Sequence, residues 1–144
     1  MTDVITPTRR STAPSRSVLY GVLVLVVLSL VGAAVSVASD LSPDLWDALG
    51  PTGRLSIPWP MMLAQVVMAV LAGSTRRPLA LLGSGFVTLA LLAGAVSGFF
   101  DGGYAEDRFT TFERIYQLGF VVAIVVVGVI AATRFVRVLR PAKA

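Results

Sequence analysis

The sequence predicts an all-α integral membrane protein. The expected architecture is an antiparallel bundle of four transmembrane helices, with both termini cytoplasmic and a short interfacial helix in the first outer loop. Three observations lead there. Hydrophobic residues make up 56% of the 144 positions and charged residues only 14%, where a soluble domain carries about 25%. The apolar residues gather into four runs with few polar interruptions. The basic residues fall beside alternate loops, as the positive-inside rule requires of a multi-pass chain.

Residues 1–16, MTDVITPTRRSTAPSR, hold Thr, Ser, Pro and Arg with little to bury and read as a disordered cytoplasmic arm. The pair Arg9-Arg10 lacks the apolar residues that follow it in a twin-arginine signal. The first span is about 17–38, SVLYGVLVLVVLSLVGAAVSVA, 22 residues without a charge. Roughly 20 apolar residues in a helix cross about 30 Å of hydrocarbon. Ser36-Val37-Ala38 offers the small residues of a cleavage site, but a signal peptide has only about 7 to 15 apolar residues. The run therefore reads as an uncleaved helix.

In SDLSPDLWDALGPTGRLSIP, residues 39–58, Ser42 is placed as an N-cap, Pro43 at the first helical position and Asp44 near the positive end of the dipole. Gly50 and Pro51 stop the turn. With Leu41, Leu45 and Leu49 at spacing four and Trp46 beside them, this predicts a short amphipathic helix over 42–49 at the membrane surface.

The second span, about 58–75, is the weakest. Its apolar stretch WPMMLAQVVMAVLAGS has one strongly polar residue, Gln65. The turn TRRP leads into the third span, about 78–100, and so short a link makes the two helices antiparallel neighbours. The fourth span is about 111–134, entered through Thr110-Thr111-Phe112-Glu113, a capping box with Thr110 at N-cap and Glu113 at N3. Arg134, Arg137 and Arg140 continue that helix with a basic face before Pro141, so the membrane domain is 17–140 and 141–144 a cytoplasmic tail.

Orientation follows from charge. Arg9, Arg10, Arg16, Arg76, Arg77, Arg134, Arg137, Arg140 and Lys143 fall on one side with the single acid Asp3. Asp40, Asp44, Asp47, Asp101, Glu106, Asp107 and Glu113 fall on the other with Arg54, Arg108 and Arg114. The first set is predicted to be cytoplasmic. The net charge of +4 thus points to a membrane surface and not to nucleic acid. Phe99, Phe100, Tyr104, Phe109, Phe112 and Tyr116 are expected to form an interfacial aromatic belt, with Trp46 and Trp59 as further anchors.

With no cysteine and no histidine, disulfides, thiol chemistry, Cys- or His-ligated zinc and His-ligated haem are excluded. No carboxylate, Lys or Arg lies in the middle of a span, where proton- or cation-coupled carriers usually keep one. No nucleophile–base pair, phosphate loop or metal-binding pair of carboxylates stands out. The sequence therefore predicts no cofactor, no metal and no catalysis. Four features remain as candidates. Gln65, Thr88, Gln117 and Tyr116 fall at similar depth and are expected to form a polar cluster, as interhelical glue or as a ligand-lining pocket. Glu113 and Arg114 could join Glu106, Asp107 and Arg108 in a shallow polar site. Ala90, Gly94 and Gly98, spaced by four, suit close helix packing within the bundle or a homodimer face. GSG at 83–85 reads as helix-packing glycine. Arg134, Arg137 and Arg140 are expected to meet anionic lipid head groups.

The heavy use of Ala, Val, Leu and Gly, with eleven of twelve basic residues Arg, resembles that of small four-helix membrane proteins of high-GC bacteria, and a bacterial plasma membrane is the expected location. The function expected first is that of a non-catalytic accessory subunit or membrane-organising factor acting through protein or lipid contacts. The alternative is a small-molecule or lipid binder or transporter, dimeric, using an outer-leaflet polar pocket.

Overall fold

The computed structural model describes residues 15–51, 53, 55–100 and 109–140. These residues include five helices: α1 (Ser17–Ala38), α2 (Leu45–Ala48), α3 (Trp59–Ala72), α4 (Arg77–Phe100) and α5 (Thr111–Leu139). The predicted arm and tail fall almost entirely outside the described residues, as do Arg54, Asp101, Tyr104, Glu106, Asp107 and Arg108.

Three of the helices, α1, α4 and α5, are long and apolar enough to cross a membrane. Their outward faces carry large exposed apolar side chains, among them Val27, Leu89, Leu92, Ile115 and Val129. A helix that is apolar all round suits a surrounding of hydrocarbon. The fourth apolar helix, α3, has 14 residues, about 21 Å at 1.5 Å per residue. It falls short of the expected 58–75 span.

Round the bundle the order is α1, α3, α4, α5, with α1 packed on α3 and α5, and α4 packed on the same two. Neighbours run antiparallel. A Cβ built on Gly73, at the end of α3, would lie 3.0 Å from the Ser15 carbonyl oxygen, just ahead of α1. Arg77, the first residue of α4, reaches the last carbonyls of α5. One end of the bundle therefore collects Arg16, Arg76, Arg77, Arg134, Arg137 and Arg140, and the other Asp40, Asp44, Asp47 and Glu113.

The core between the four helices is built from Val18, Val22 and Leu25 of α1, Ala69 and Ala72 of α3, Val87, Leu91 and Ala95 of α4, and Phe120, Ile124, Val127 and Ala131 of α5. The backbones of α3 and α4 approach closely at the basic end. A Cβ on Gly83 would stand 2.3 Å from the Met68 carbonyl oxygen and 2.4 Å from the Ala72 nitrogen, so only glycine lets these helices meet. The expectation that GSG at 83–85 packs helices is met at its first glycine.

The short helix differs in detail from the sequence expectation. It is one turn, Leu45–Ala48, and its N-cap is Asp44, whose carboxylate accepts from the Asp47 N–H at 2.9 Å. Ser42 is instead committed to the end of α1. Its N–H and that of Leu41 both donate to the Ser36 carbonyl, closing α1 through Asp40 at φ 55°. The cap falls at Asp44 because that residue, directly ahead of Leu45, has the extended backbone an N-cap needs, with φ −153° and ψ 175°.

Candidate functional site

Between α2 and α3 the chain folds back into the bundle. The Leu55 carbonyl oxygen rests on Gly32 of α1, where a Cβ would come within 2.0 Å of it. Ile57 donates its N–H to the Ser29 hydroxyl at 2.8 Å. Ser56 Oγ donates to the Ala48 carbonyl, and Trp59 N–H to Leu49 O at 2.9 Å, which closes the loop on itself. Ser29 lies nine residues before the end of α1, about 13 Å down its axis. Irregular backbone at such depth needs its polar groups satisfied by protein, and these contacts do that. Leu55 is buried and Ile57 packs on the core.

This inward fold forms one wall of a cavity of about 840 Å³. Its other walls are α3 through Met61 and Gln65, α4 through Ala90, Leu91, Gly94 and Gly98, and α5 through Gln117, Phe120, Val121 and Ile124, with Phe109 at the entry to α5. The cavity exists because α3 and α4, pinned at Gly83, part toward the acidic end. A Cβ on Gly94 would meet no atom within 4 Å. The stripe Ala90, Gly94 and Gly98, expected to draw helices together, lines open space within the chain instead. At Gly98 the space narrows: a Cβ there would stand 3.0 Å from Val121 Cγ2.

Two of the sequence-predicted polar residues meet here. Gln65 and Gln117 each stand six residues into their helices, about 9 Å below the helix start, and both line the cavity. They are 3% and 7% exposed. The Gln117 Oε1 atom is buried without a hydrogen-bond partner. A buried acceptor left unpaired costs about 1–3 kcal/mol, and this one has almost no accessible surface, so it is packed against protein and not open to the cavity.

The other two members of the predicted cluster lie elsewhere. Thr88 donates back to the Ser84 carbonyl of its own helix at 2.7 Å and does not line the cavity. Tyr116 turns the other way, toward α1, where its hydroxyl donates to the Leu28 carbonyl, and its ring stacks on Phe120 with centroids 6.3 Å apart. One helical step of about 100° separates Tyr116 from Gln117, enough to put them on different faces.

Glu113 is 2% exposed. Its carboxylate accepts from the Thr110 N–H at 2.7 Å while Thr110 Oγ1 accepts from the Glu113 N–H, completing the expected capping box. The Ser39 side chain adds a further hydrogen bond, which ties α5 to the end of α1. Arg114 is exposed. The remaining members of the predicted shallow polar site lie outside the described residues. Of the aromatic belt, Phe99, Phe100 and Phe112 are exposed, while Phe109 is buried against the cavity.

At the basic end, the expected arginine face is divided. Arg134 is buried and donates through Nε to the Ala72 carbonyl that ends α3, at 3.3 Å. It does not share the exposed surface of Arg137 and Arg140. Three residues advance a helix by 300°, so each arginine is rotated 60° from the one before, and Arg134 turns into the bundle. Arg77, not singled out by the sequence, donates to the Val138 and Leu139 carbonyls at 3.2 and 2.9 Å. Two arginines thus cover the carbonyl ends of α3 and α5, where helix dipoles favour cations.

No protein-family model, no curated protein and no solved structure matches this chain. Its functional reading rests on its own residues.

Proposed function

We propose that this chain is a non-catalytic multi-pass protein of a bacterial plasma membrane that holds a small molecule or lipid in the cavity between α3, α4 and α5. The observation that carries the reading is the cavity itself, apolar for most of its lining, with Gln65 and Gln117 as its two long polar side chains. Ligand sites are commonly clefts of about 300–1,000 Å³ with a few placed polar groups in an apolar lining.

The membrane topology belongs to the same proposal. Residues 55–58 complete the crossing that α3 begins. At most about 3.6 Å per residue, they add up to roughly 14 Å to the 21 Å of α3. The count of four crossings then places both termini on one side, and the arginine-rich end faces the cytoplasm by the positive-inside rule.

A second reading is supported by the open stripe of Ala90, Gly94 and Gly98. A groove floored by small residues also accepts a helix, from a second copy or from a membrane partner, which would make the chain an accessory subunit. The deciding experiment is mild extraction of the tagged protein from its own membranes, followed by native mass and composition. A retained small molecule that is absent from a Gly94→Leu variant supports the ligand site. A stoichiometric second protein or a dimer lost in that variant, with no retained small molecule, overturns it in favour of the accessory role.

A further inference from the structure

We infer that the cavity takes one hydrocarbon chain of a membrane lipid, which enters sideways between α3 and α4 while its head group stays outside; the inference rests on the binding role and topology proposed above. Three observations specify the occupant.

The first is where the cavity opens. Gly83, Ala90, Gly94 and Ser97 follow one another at steps of seven, four and three residues, so they share the face of α4 that meets α3. The two walls touch at Gly83 and part beyond it. Phe120, Val121 and Ile124 of α5 close the back and are buried. The opposite side is open: Ala93 and Ser97 of α4 and Pro60 and Met61 of α3 line the cavity and are exposed. Leu89 and Val96, which flank Ala93 on its own stripe of α4, are exposed as well. The mouth therefore lies on the apolar flank of the bundle.

The second is what the walls offer. None of the described residues lining the cavity is ionisable. A charged head group drawn inside would lose its hydration without gaining a counter-charge. The acceptor of Gln117 is sealed against protein, and Ser56 commits its hydroxyl to the Ala48 carbonyl. A water molecule settles where it finds about two to four polar partners, and most of this lining has none to give.

The third is depth. From Gly98 to Ala90 the cleft follows α4 for eight residues, about 12 Å. Ile124 stands thirteen residues into α5, about 20 Å from its start. In a hydrocarbon layer of about 30 Å, the medium at the mouth consists of chains alone. An unfilled cleft forfeits the dispersion contacts of its walls, and a chain from the bilayer restores them without moving a head group out of the interface. The site therefore selects a chain and is indifferent to the head.

The test uses the full chain in dioleoylphosphatidylcholine vesicles with a trace of a photoreactive lipid, which carries a diazirine midway along one acyl chain. Three such probes share that chain and differ in head: phosphatidylcholine, phosphatidylethanolamine and phosphatidylglycerol. After illumination, the labelled residues are mapped by mass spectrometry. A lipid that only coats the bundle labels outward residues such as Leu89 and Val129. A chain in the cleft also labels Phe120, Val121 and Ile124. The expected result is label on this back wall from all three probes alike. Gly94→Leu, which fills the open space, should abolish that label and keep the label on Val129. Ala90→Leu narrows the same cleft and serves if the first variant does not fold. Gln65→Leu makes the wall more apolar and should raise the back-wall label.

Back-wall label from one head group alone overturns the inference, as does label that persists in both the Gly94 and Ala90 variants. Its loss in Gln65→Leu marks a polar occupant and also overturns it. If no probe labels the back wall, the inference falls. A small molecule then retained on mild extraction of the unaltered protein keeps the binding role, and an extract that retains none takes that role down too.

Discussion

The Leu55 carbonyl oxygen occupies the place where a side chain on Gly32 would begin, 2.0 Å from an ideal Cβ. Neither atom can move freely, because Leu55 is held in a loop closed by Trp59 and Leu49 and Gly32 lies in the third quarter of α1. Gly32→Ala should therefore drive the 55–58 segment out of the bundle and destabilise the protein by roughly 1–3 kcal/mol, as overpacking does. A cysteine introduced at Leu55, unreactive to a soluble maleimide in the parent, should become reactive in the double variant. The chain's lack of cysteine gives that measurement a clean background.

Ser29 makes the second attachment of the same segment. Ser29→Ala leaves the Ile57 N–H without its acceptor, and the expected loss is about 1–3 kcal/mol. Hydrogen exchange at the Ile57 amide should accelerate more than exchange in α4. Uniform acceleration through the bundle would mean that the segment and the helices open together.

Glycines of α4 should separate sharply by position. Gly83→Ala places a methyl between α3 and α4 where Met68 and Ala72 leave no room, and it should lower the melting temperature. Gly94→Ala meets no neighbour and should gain up to about 1 kcal/mol from helix propensity. Thermal unfolding of the two single variants in one detergent tests the pair, and a reversed order would contradict the parting of α3 from α4.

Much of this architecture was legible in the sequence. Runs of apolar residues located α1, α4 and α5, because charge-free, mostly apolar stretches of 22, 23 and 19 residues (17–38, 78–100 and 115–133) have few other outcomes. The capping box at Thr110 and Glu113 was legible for a similar reason, being a local pattern with local geometry. Gln65 and Gln117 could be paired by counting depth along their helices. Depth fixes only height, however, and not the face. Thr88 and Tyr116 stand at comparable height and turn away, one satisfied by its own helix and the other by α1. The seating of residues 55–58 left no sequence signal beyond Gly32 and Ser29, since it is made by backbone atoms against helix positions 23 and 28 residues earlier. The cavity was illegible because small-residue spacing is the same whether helices close on it or part around it.

The division of the C-terminal arginines yields a prediction about lipid. We propose that Arg137 and Arg140, both exposed, meet anionic head groups, each contributing about 1 kcal/mol near such a surface. Neutralising either to Gln should weaken binding of the detergent-solubilised protein to phosphatidylglycerol vesicles about fivefold. Arg134→Gln should leave vesicle binding unchanged and instead loosen the end of α3, read as faster exchange of the Gly73 and Ser74 amides. Equal effects of all three on vesicle binding would show a single basic face.

Asp40 is the described non-glycine residue with positive φ, 55°, directly after the cap of α1. Glycine takes this left-handed conformation without the side-chain cost. Asp40→Gly should raise stability by a few tenths to about 1 kcal/mol, while Asp40→Val should lower it, as seen by chemical or thermal unfolding.

Because α3 and α4 are pinned at Gly83 and part toward Gly94, the bundle has a taper. On the binding role and topology proposed above, an occupant that widened the cavity would change the girth near the acidic end and leave the arginine-clasped end as it was, so the cross-section would change in one leaflet alone. Lipids of different shape, which press unequally on the two halves of a bilayer, would thereby act on the occupancy of the site without entering it.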